Sequence, residues 1–248
     1  MTYVISLTRN NQDALLLLQN RLGYNFVKPE LLQLALIHRS YAFEQGGRLD
    51  RDNERMEFLG DAVLDLTVGN ALFQLYPEMP EGEMTKLRAL LVKESHLARM
   101  AVEVDLGSAL FLGRGEEGSL GRQKSSILSC AYEAVIGAIF LDGGYGAAEQ
   151  FVTSHFTPHF DPLKEKIHLA DAKSRLQELT QEQFSEAPVY VLEKEEGPDH
   201  EKIFTVSVQF RGAVLAHGRA MSKKVAEQLA AAEALKRIEG KNLTEIFG

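Results

Sequence analysis

The 248-residue chain has a single cysteine, Cys130, which excludes an internal disulfide and fits a reducing compartment. No apolar run reaches the ~20 residues that a bilayer-spanning helix needs, so a membrane protein is not expected. The first residues, 1–9, lack the basic-then-apolar order of a secretory signal, and a cytoplasmic location is expected. Positive charge is in deficit, with 27 Lys and Arg against 35 Asp and Glu, a net charge of −8. That balance argues against a generic basic patch for nucleic acid. There is no internal repeat and no low-complexity tract. What is present is enough apolar content, 45%, for a sizeable core, and a length that suits one large domain or two ordinary ones.

Two compositions and a join divide the chain. Residues 11–160 read as helices: Leu15, Leu18 and Leu22 repeat at helical spacing, and Pro29 opens a second helix carrying Leu31, Leu32, Leu34, Ala35 and Ile37. A polar loop at 45–52 precedes a helix for which Asn53 is the expected N-cap and which stops before Pro77. Two more helices are expected at 84–92 and 94–104, a glycine-rich loop at 105–125, and a nearly uncharged helix at 126–141 ended by Gly143 and Gly144. The prolines and mixed charge around 158–170 read as a linker. Then the period changes. A helix at 172–184 precedes strand-like runs at 189–192 and 204–210, a turn at Gly212, a third strand at 213–217 and an alanine-rich helix at 222–238. The order α-β-β-β-α makes a compact α+β module after an all-α domain.

The chemistry concentrates at 53–65, Asn-Glu-Arg-Met-Glu-Phe-Leu-Gly-Asp-Ala-Val-Leu-Asp. Glu54, Glu57 and Asp61 stand at i, i+3 and i+7, which puts three carboxylates on one helix face. Met56, Phe58, Leu59, Val63, Leu64 and Leu66 are expected in the core. Like charges at this spacing repel, more so when desolvated, and a wall of acids beside a core implies a cation. Oxygen-only ligands suit a hard ion such as Mg²⁺ or Mn²⁺. Glu133 is the one ionised side chain of the 126–141 helix. Alone it reads equally as a protonated or arginine-paired structural residue; facing Glu57 and Asp61 it reads as a further metal ligand.

The 53–64 block, the block Ser126-Ile127-Leu128…Glu133-Ala134-Val135-Ile136-Gly137 and the C-terminal module together closely resemble bacterial ribonuclease III, over nearly the whole chain and in the family's order. The resemblance implies an all-α endonuclease domain at 1–160, a linker at 161–170, a double-stranded-RNA-binding domain at 171–240 and a tail at 241–248. It implies a homodimer that cleaves double-stranded RNA with Mg²⁺, for which Mn²⁺ substitutes, and that needs no small-molecule cofactor and no membrane. Glu57, Asp61 and Glu133 match the family's metal ligands and central acids. Glu54 matches an acid near the dimer's cleavage valley, and Glu81 one placed by the scissile strand. One position departs: where the family has an aspartate ligand, three residues before the last glutamate, this chain has Cys130. A thiol is softer and less acidic than a carboxylate and holds Mg²⁺ poorly. Two readings follow, an active duplex-RNA endonuclease or a duplex-RNA-binding protein with an impaired centre.

Pro188-Val-Tyr190, Gly197-Pro-Asp-His200, Phe204 and Ser222-Lys223-Lys224-Val-Ala226 resemble the double-stranded-RNA-binding motif. By that resemblance Gln177 and Glu178 of the module's first helix and the loop at His200 touch successive minor grooves. Lys223 and Lys224 open the last helix, where its N-terminus also favours phosphate. Other signals carry less. Gly113, Gly115 and Gly118 are spaced as in a dinucleotide fingerprint but are read as loop. His38 is read as closing the helix before it, and His155 and His159 as surface residues separated by the helix break expected at Pro158.

Overall fold

In the computed structural model of this chain the described residues are 9–46 and 52–238; most of the expected 45–52 loop and the 241–248 tail lie outside them. Two compact units divide the chain, Met1–Leu163 and Lys164–Gly248.

The first unit is helical. α1 (Arg9–Leu22) buries Leu15, Leu18 and Leu22 as its period requires. α2 begins at Pro29 and ends at Ala35, because Ile37 leaves the helix to form a parallel bridge with Phe111. The turn between them is held from a distance: the Asp142 carboxylate accepts from the Tyr24 hydroxyl and from the backbone N–H of Val27 and Lys28, each at 2.9 Å. His38 does not close α2. It caps the N-terminus of a short helix, α3 (Arg39–Glu44), its Nδ1 accepting from the Ser40 N–H at 3.3 Å. α4 (Glu54–Leu75), α5 (Glu81–Leu91) and α6 (Glu94–Glu103) follow close to their expected places.

The 105–125 stretch is not open loop. It folds as two 3₁₀ turns, Leu106–Ala109 and Gly121–Gln123, around a short helix α7 (Arg114–Gly118), so the spaced glycines form a helical turn instead of a phosphate loop. Arg122 organises it: Nη1 donates to the carbonyls of Gly107 (2.8 Å), Ser108 (3.2 Å) and Leu110 (2.8 Å), and Nε pairs with Glu117. One side chain satisfying three carbonyls replaces the ladder that a regular element would supply.

α8 runs from Ser125 to Phe184 with one break, Gly144 (φ 76, ψ −173), at the glycine pair that was expected to end it. The expected linker at 158–170 is helix, with Pro158 and Pro162 inside it; each proline forfeits one backbone hydrogen bond without ending the element. α8 also contains a stretch long and apolar enough to cross a bilayer by composition, which the reading of run lengths missed, but most of that stretch is buried inside the fold.

In the second unit three antiparallel strands, β1 (Val189–Glu196), β2 (Ile203–Phe210) and β3 (Ala213–Ala220), stand in the order β1-β2-β3, and α9 (Lys223–Ile238) packs on one face. Ala226, Ala230, Ala231 and Ala234 let α9 lie close to the sheet. At Gly218 the approach is closest, since a Cβ there would fall 2.0 Å from the Ala226 carbonyl oxygen and 2.5 Å from the Ala230 nitrogen. Backbone cannot rotate aside, so Gly218→Ala is expected to destabilise this unit by at least about 2 kcal/mol, read as a lower denaturant midpoint. Lys173 ties the end of α8 to α9, its Nζ 2.6 Å from Glu227 and 4.4 Å above the Tyr190 ring.

Candidate active site

Asn53 is the N-cap of α4 as expected, but its side chain is used elsewhere. The Asn53 side chain is buried and donates to the Ala35 carbonyl at 3.2 Å, while its N–H donates to Ile37 O at 2.9 Å. The Asp52 carboxylate accepts from the Glu54 N–H at 3.2 Å.

α4 then meets α8 backbone to backbone. A Cβ on Gly60 would lie 1.8 Å from the Glu133 carbonyl oxygen, and one on Gly137 would lie 2.3 Å from that of Met56. This contact brings Glu133 to the acids of α4. Burial raises the Glu133 carboxyl to about 7, reinforced by the charges of Asp61, Glu57 and Asp65. Asp61, more exposed, is also raised, by burial and by Asp65. Cys130, half-buried one turn before Glu133, donates its thiol to Glu57; burial first and that bond second push it up to about 12. The thiol is therefore protonated at neutral pH and supplies neither a charge nor a thiolate ligand.

The structure thus brings together Glu57, Asp61, Glu133 and Cys130, with Asp65 added. Asp65 was missed, although it stands four residues beyond Asp61 on the same helix face. Glu54 is exposed and 3.6 Å from Arg39, and Glu81, the exposed first residue of α5, accepts from the Thr85 hydroxyl at 2.8 Å. Neither is among the charges that act on Glu133. Among the described residues no three His, Cys, Asp or Glu side chains close on a single point. The donor set still fits a hard divalent ion, since Mg²⁺ keeps several waters and takes only one or two carboxylates directly. An open cleft of about 570 Å³ lined by Tyr41, Glu44, Gln45, Leu112 and Arg114 includes none of the acids.

Not all of the acidic helix's apolar residues are in the core. Met56, Val63 and Leu64 are buried, but Phe58 is 81% exposed and Leu66 60%, and Phe73 joins them at 66%. In the second unit Gln177, Glu178, His200, Lys223 and Lys224 are all exposed. The Ser222 hydroxyl accepts from the Val225 N–H at 3.3 Å as α9 begins, and Gly197, at φ +95, shapes the turn before His200.

Residues 28–160 match the Ribonuclease-III-like family and residues 172–238 match the double-stranded RNA binding motif. The chain belongs to the ribonuclease III family. Ribonuclease 3 of Desulfotalea psychrophila is 58% identical over 95% of this chain and 98% of its own length. That of Oleidesulfovibrio alaskensis is 49% identical over 91% of this chain and 98% of its own. A solved structure of the ribonuclease III nuclease domain of Campylobacter jejuni superposes with a TM-score of 0.54 at 41% identity, covering 58% of this chain and 97% of that one. The two family matches fall one in each compact unit, the ribonuclease-III-like region first and the double-stranded RNA binding motif second. Catalysis in the ribonuclease III family depends on a divalent metal.

Proposed function

We propose that this protein is a divalent-metal-dependent endoribonuclease that hydrolyses phosphodiester bonds of double-stranded RNA, leaving 5′-phosphate and 3′-hydroxyl ends. The observation that carries this reading is the carboxyl of Glu133, raised toward neutrality by burial and then by the charges of three other acids, beside a backbone contact between two helices. Glu57, Asp61 and Glu133 hold Mg²⁺, with Mn²⁺ as a substitute, and Asp65 adds to the field they make. When bound, such an ion would supply Lewis-acid chemistry, lowering the pKa of a water and offsetting charge on the phosphorane-like transition state. Asp61 and Glu133 orient the attacking water in line with the scissile bond, and Glu54 and Glu81 flank the strand being cut. Structured precursors such as ribosomal, messenger and transfer RNA are the substrates, and the cytoplasm, consistent with a lone thiol, is the location.

One centre cuts one strand, so duplex cleavage calls for two copies. The nuclease domain of Campylobacter jejuni ribonuclease III has a region involved in dimer formation. Here Phe58, Leu66 and Phe73 supply an exposed apolar face on α4 that a second copy covers. Sedimentation at micromolar concentration is expected to show a dimer, and a monomer would refute this assignment.

The RNA-binding module engages the duplex through Gln177, Glu178 and His200 in its minor grooves and Lys223 and Lys224 on phosphate. Replacing both lysines by alanine is expected to weaken duplex binding roughly ten- to hundredfold near physiological salt and to lower the salt slope by about 2. An unchanged slope in a fluorescence titration would move the phosphate contacts elsewhere.

The Cys130 thiol, protonated and bonded to Glu57, favours a second reading in which the protein binds duplex RNA without cutting it. Cleavage of a labelled duplex by the parent and by Cys130→Asp, across Mg²⁺ and Mn²⁺ concentrations, decides between them. Cutting by the parent establishes that the remaining acids suffice. Cutting by the variant alone establishes a binder silenced by one side chain.

A further inference from the structure

A polar cluster between α6 and α8 takes no part in the RNA chemistry. His96, Arg99 and Glu103 stand at i, i+3 and i+7 of α6, on one face. His96 is 4% exposed and packs edge-on against Phe156 at 5.8 Å. Arg99 Nη2 lies 2.9 Å from His96 Nδ1 and 3.1 Å from Nδ1 of His159, which is on α8. The two imidazoles meet edge to face at 5.0 Å. Glu103 completes the outer side, 3.6 Å from Arg99 Nε and 4.0 Å from His159 Nε2.

A guanidinium only donates hydrogen bonds, so each Nδ1 facing Arg99 must present a lone pair. Both rings are then neutral and carry their proton on Nε2. We infer that Arg99, gripped between the neutral imidazoles of His96 and His159, is an acid-released clasp that fastens α6 to α8. Protonation removes the acceptor lone pair and sets a second cation against the guanidinium. For His96 nothing offsets this. Among the described residues the charges that reach it are Arg99, His159 and Lys93, with no carboxylate among them, and its buried Nε2 has no hydrogen-bond partner there. Glu103 relieves only the His159 side.

Burial, then Arg99, His159 and Lys93, hold the His96 imidazole down at about 4. A histidine whose folded value lies below its unfolded value, ~6.5, stabilises the fold fully above the unfolded value. That stability is lost as pH falls from about 6.5 toward about 4. A neighbouring histidine, His155, is also lowered by burial, but its Nε2 faces the Leu22 carbonyl at 3.3 Å and its ring lies on Phe151, outside the clasp. Since α8 carries Glu133 and Cys130, opening the clasp loosens the helix that sets Glu133 against the acids of α4. The inference does not depend on which RNA the protein acts on, or on whether it cuts.

Histidine ¹⁵N NMR of the full chain tests it together with thermal melts across pH. At about pH 7.5 both His96 and His159 are expected as the Nε2–H tautomer. Arg99→Met should raise the His96 midpoint by at least about half a pH unit. His96→Gln keeps an acceptor for Arg99 but does not titrate, and should lose at least about half of the fall in Tm between pH 7 and 5. An Nδ1–H tautomer at His96 in the parent would overturn the clasp. So would a His96 midpoint that Arg99→Met leaves unmoved, a measurement that stands even if His96→Gln fails to fold.

Discussion

Glu133→Gln is expected to reduce duplex-RNA hydrolysis by at least about 10³-fold under saturating Mg²⁺ or Mn²⁺, while duplex binding stays intact. Glutamine preserves shape and removes the charge on which metal binding and water activation depend. A second result separates this from damage to the fold. The Glu133 carboxyl is raised to about 7 by burial and by Asp61, Glu57 and Asp65. A carboxyl whose folded value lies above its unfolded value binds protons more readily when folded. Stability of the metal-free protein therefore falls as pH rises from the unfolded value, ~4.5, through about 7. Glutamine does not ionise and escapes that loss. In chelator at pH 8, Glu133→Gln should melt higher than the parent, by on the order of 1 kcal/mol of stability. Loss of activity with gain of stability is the mark of an acid kept for function. Residual cleavage within tenfold of the parent in a single-turnover assay would remove Glu133 from the centre.

Gly60→Ala should have the largest structural effect of any single methyl group in the first unit. The added carbon would stand 1.8 Å from the Glu133 carbonyl oxygen, 2.7 Å from its carbon and 2.9 Å from the Gly137 nitrogen. All three are backbone atoms of a buried helix, so α4 and α8 must separate. The expected cost is about 3 kcal/mol or more. Cleavage should fall further than the loss of folded protein explains, because the same contact sets the distance from Glu133 to Glu57 and Asp61. Gly137→Ala, 2.3 Å from the Met56 oxygen, should behave alike. Gly82→Ala is the control: nothing lies within 4 Å of its Cβ, and in the first turn of α5 it should be neutral or stabilising by up to about 1 kcal/mol. Urea unfolding followed by helical circular dichroism reads all three. A Gly60→Ala midpoint equal to that of Gly82→Ala would mean the helices are not in contact there.

Local chemistry explains what could be read without coordinates. Helical spacing placed Glu54, Glu57 and Asp61 on one face, period-two alternation located β2, and the glycine pair before Tyr145 marked the break in α8. Each depends only on residues a few positions apart. Where a neighbour distant in sequence intervenes, the local signal misled. Asn53 stands at the N-cap as its identity suggests, but the Ala35 carbonyl takes its side chain and the Asp52 carboxylate accepts from the first helical N–H. Residues 105–125 look like loop until Arg122 is found collecting three of their carbonyls. Pro158 was read as a break between His155 and His159, yet the helix continues and His159 meets Arg99 of α6.

The family, the helical-then-mixed organisation and the acidic face of α4 were legible in the sequence itself, because periodicity and motif spacing are properties of the chain. Which of those acids act on one another was decided only by the tertiary structure. Gly60 and Gly137 let two helices touch where any side chain would hold them apart, and that crossing joins Asp65 to Glu133, leaves Glu54 and Glu81 aside, and turns the Cys130 thiol onto Glu57. Phe58 and Leu66 make the same point from the other side of α4: apolar character is written in the sequence, but which face finds a partner within the chain depends on how the helices pack.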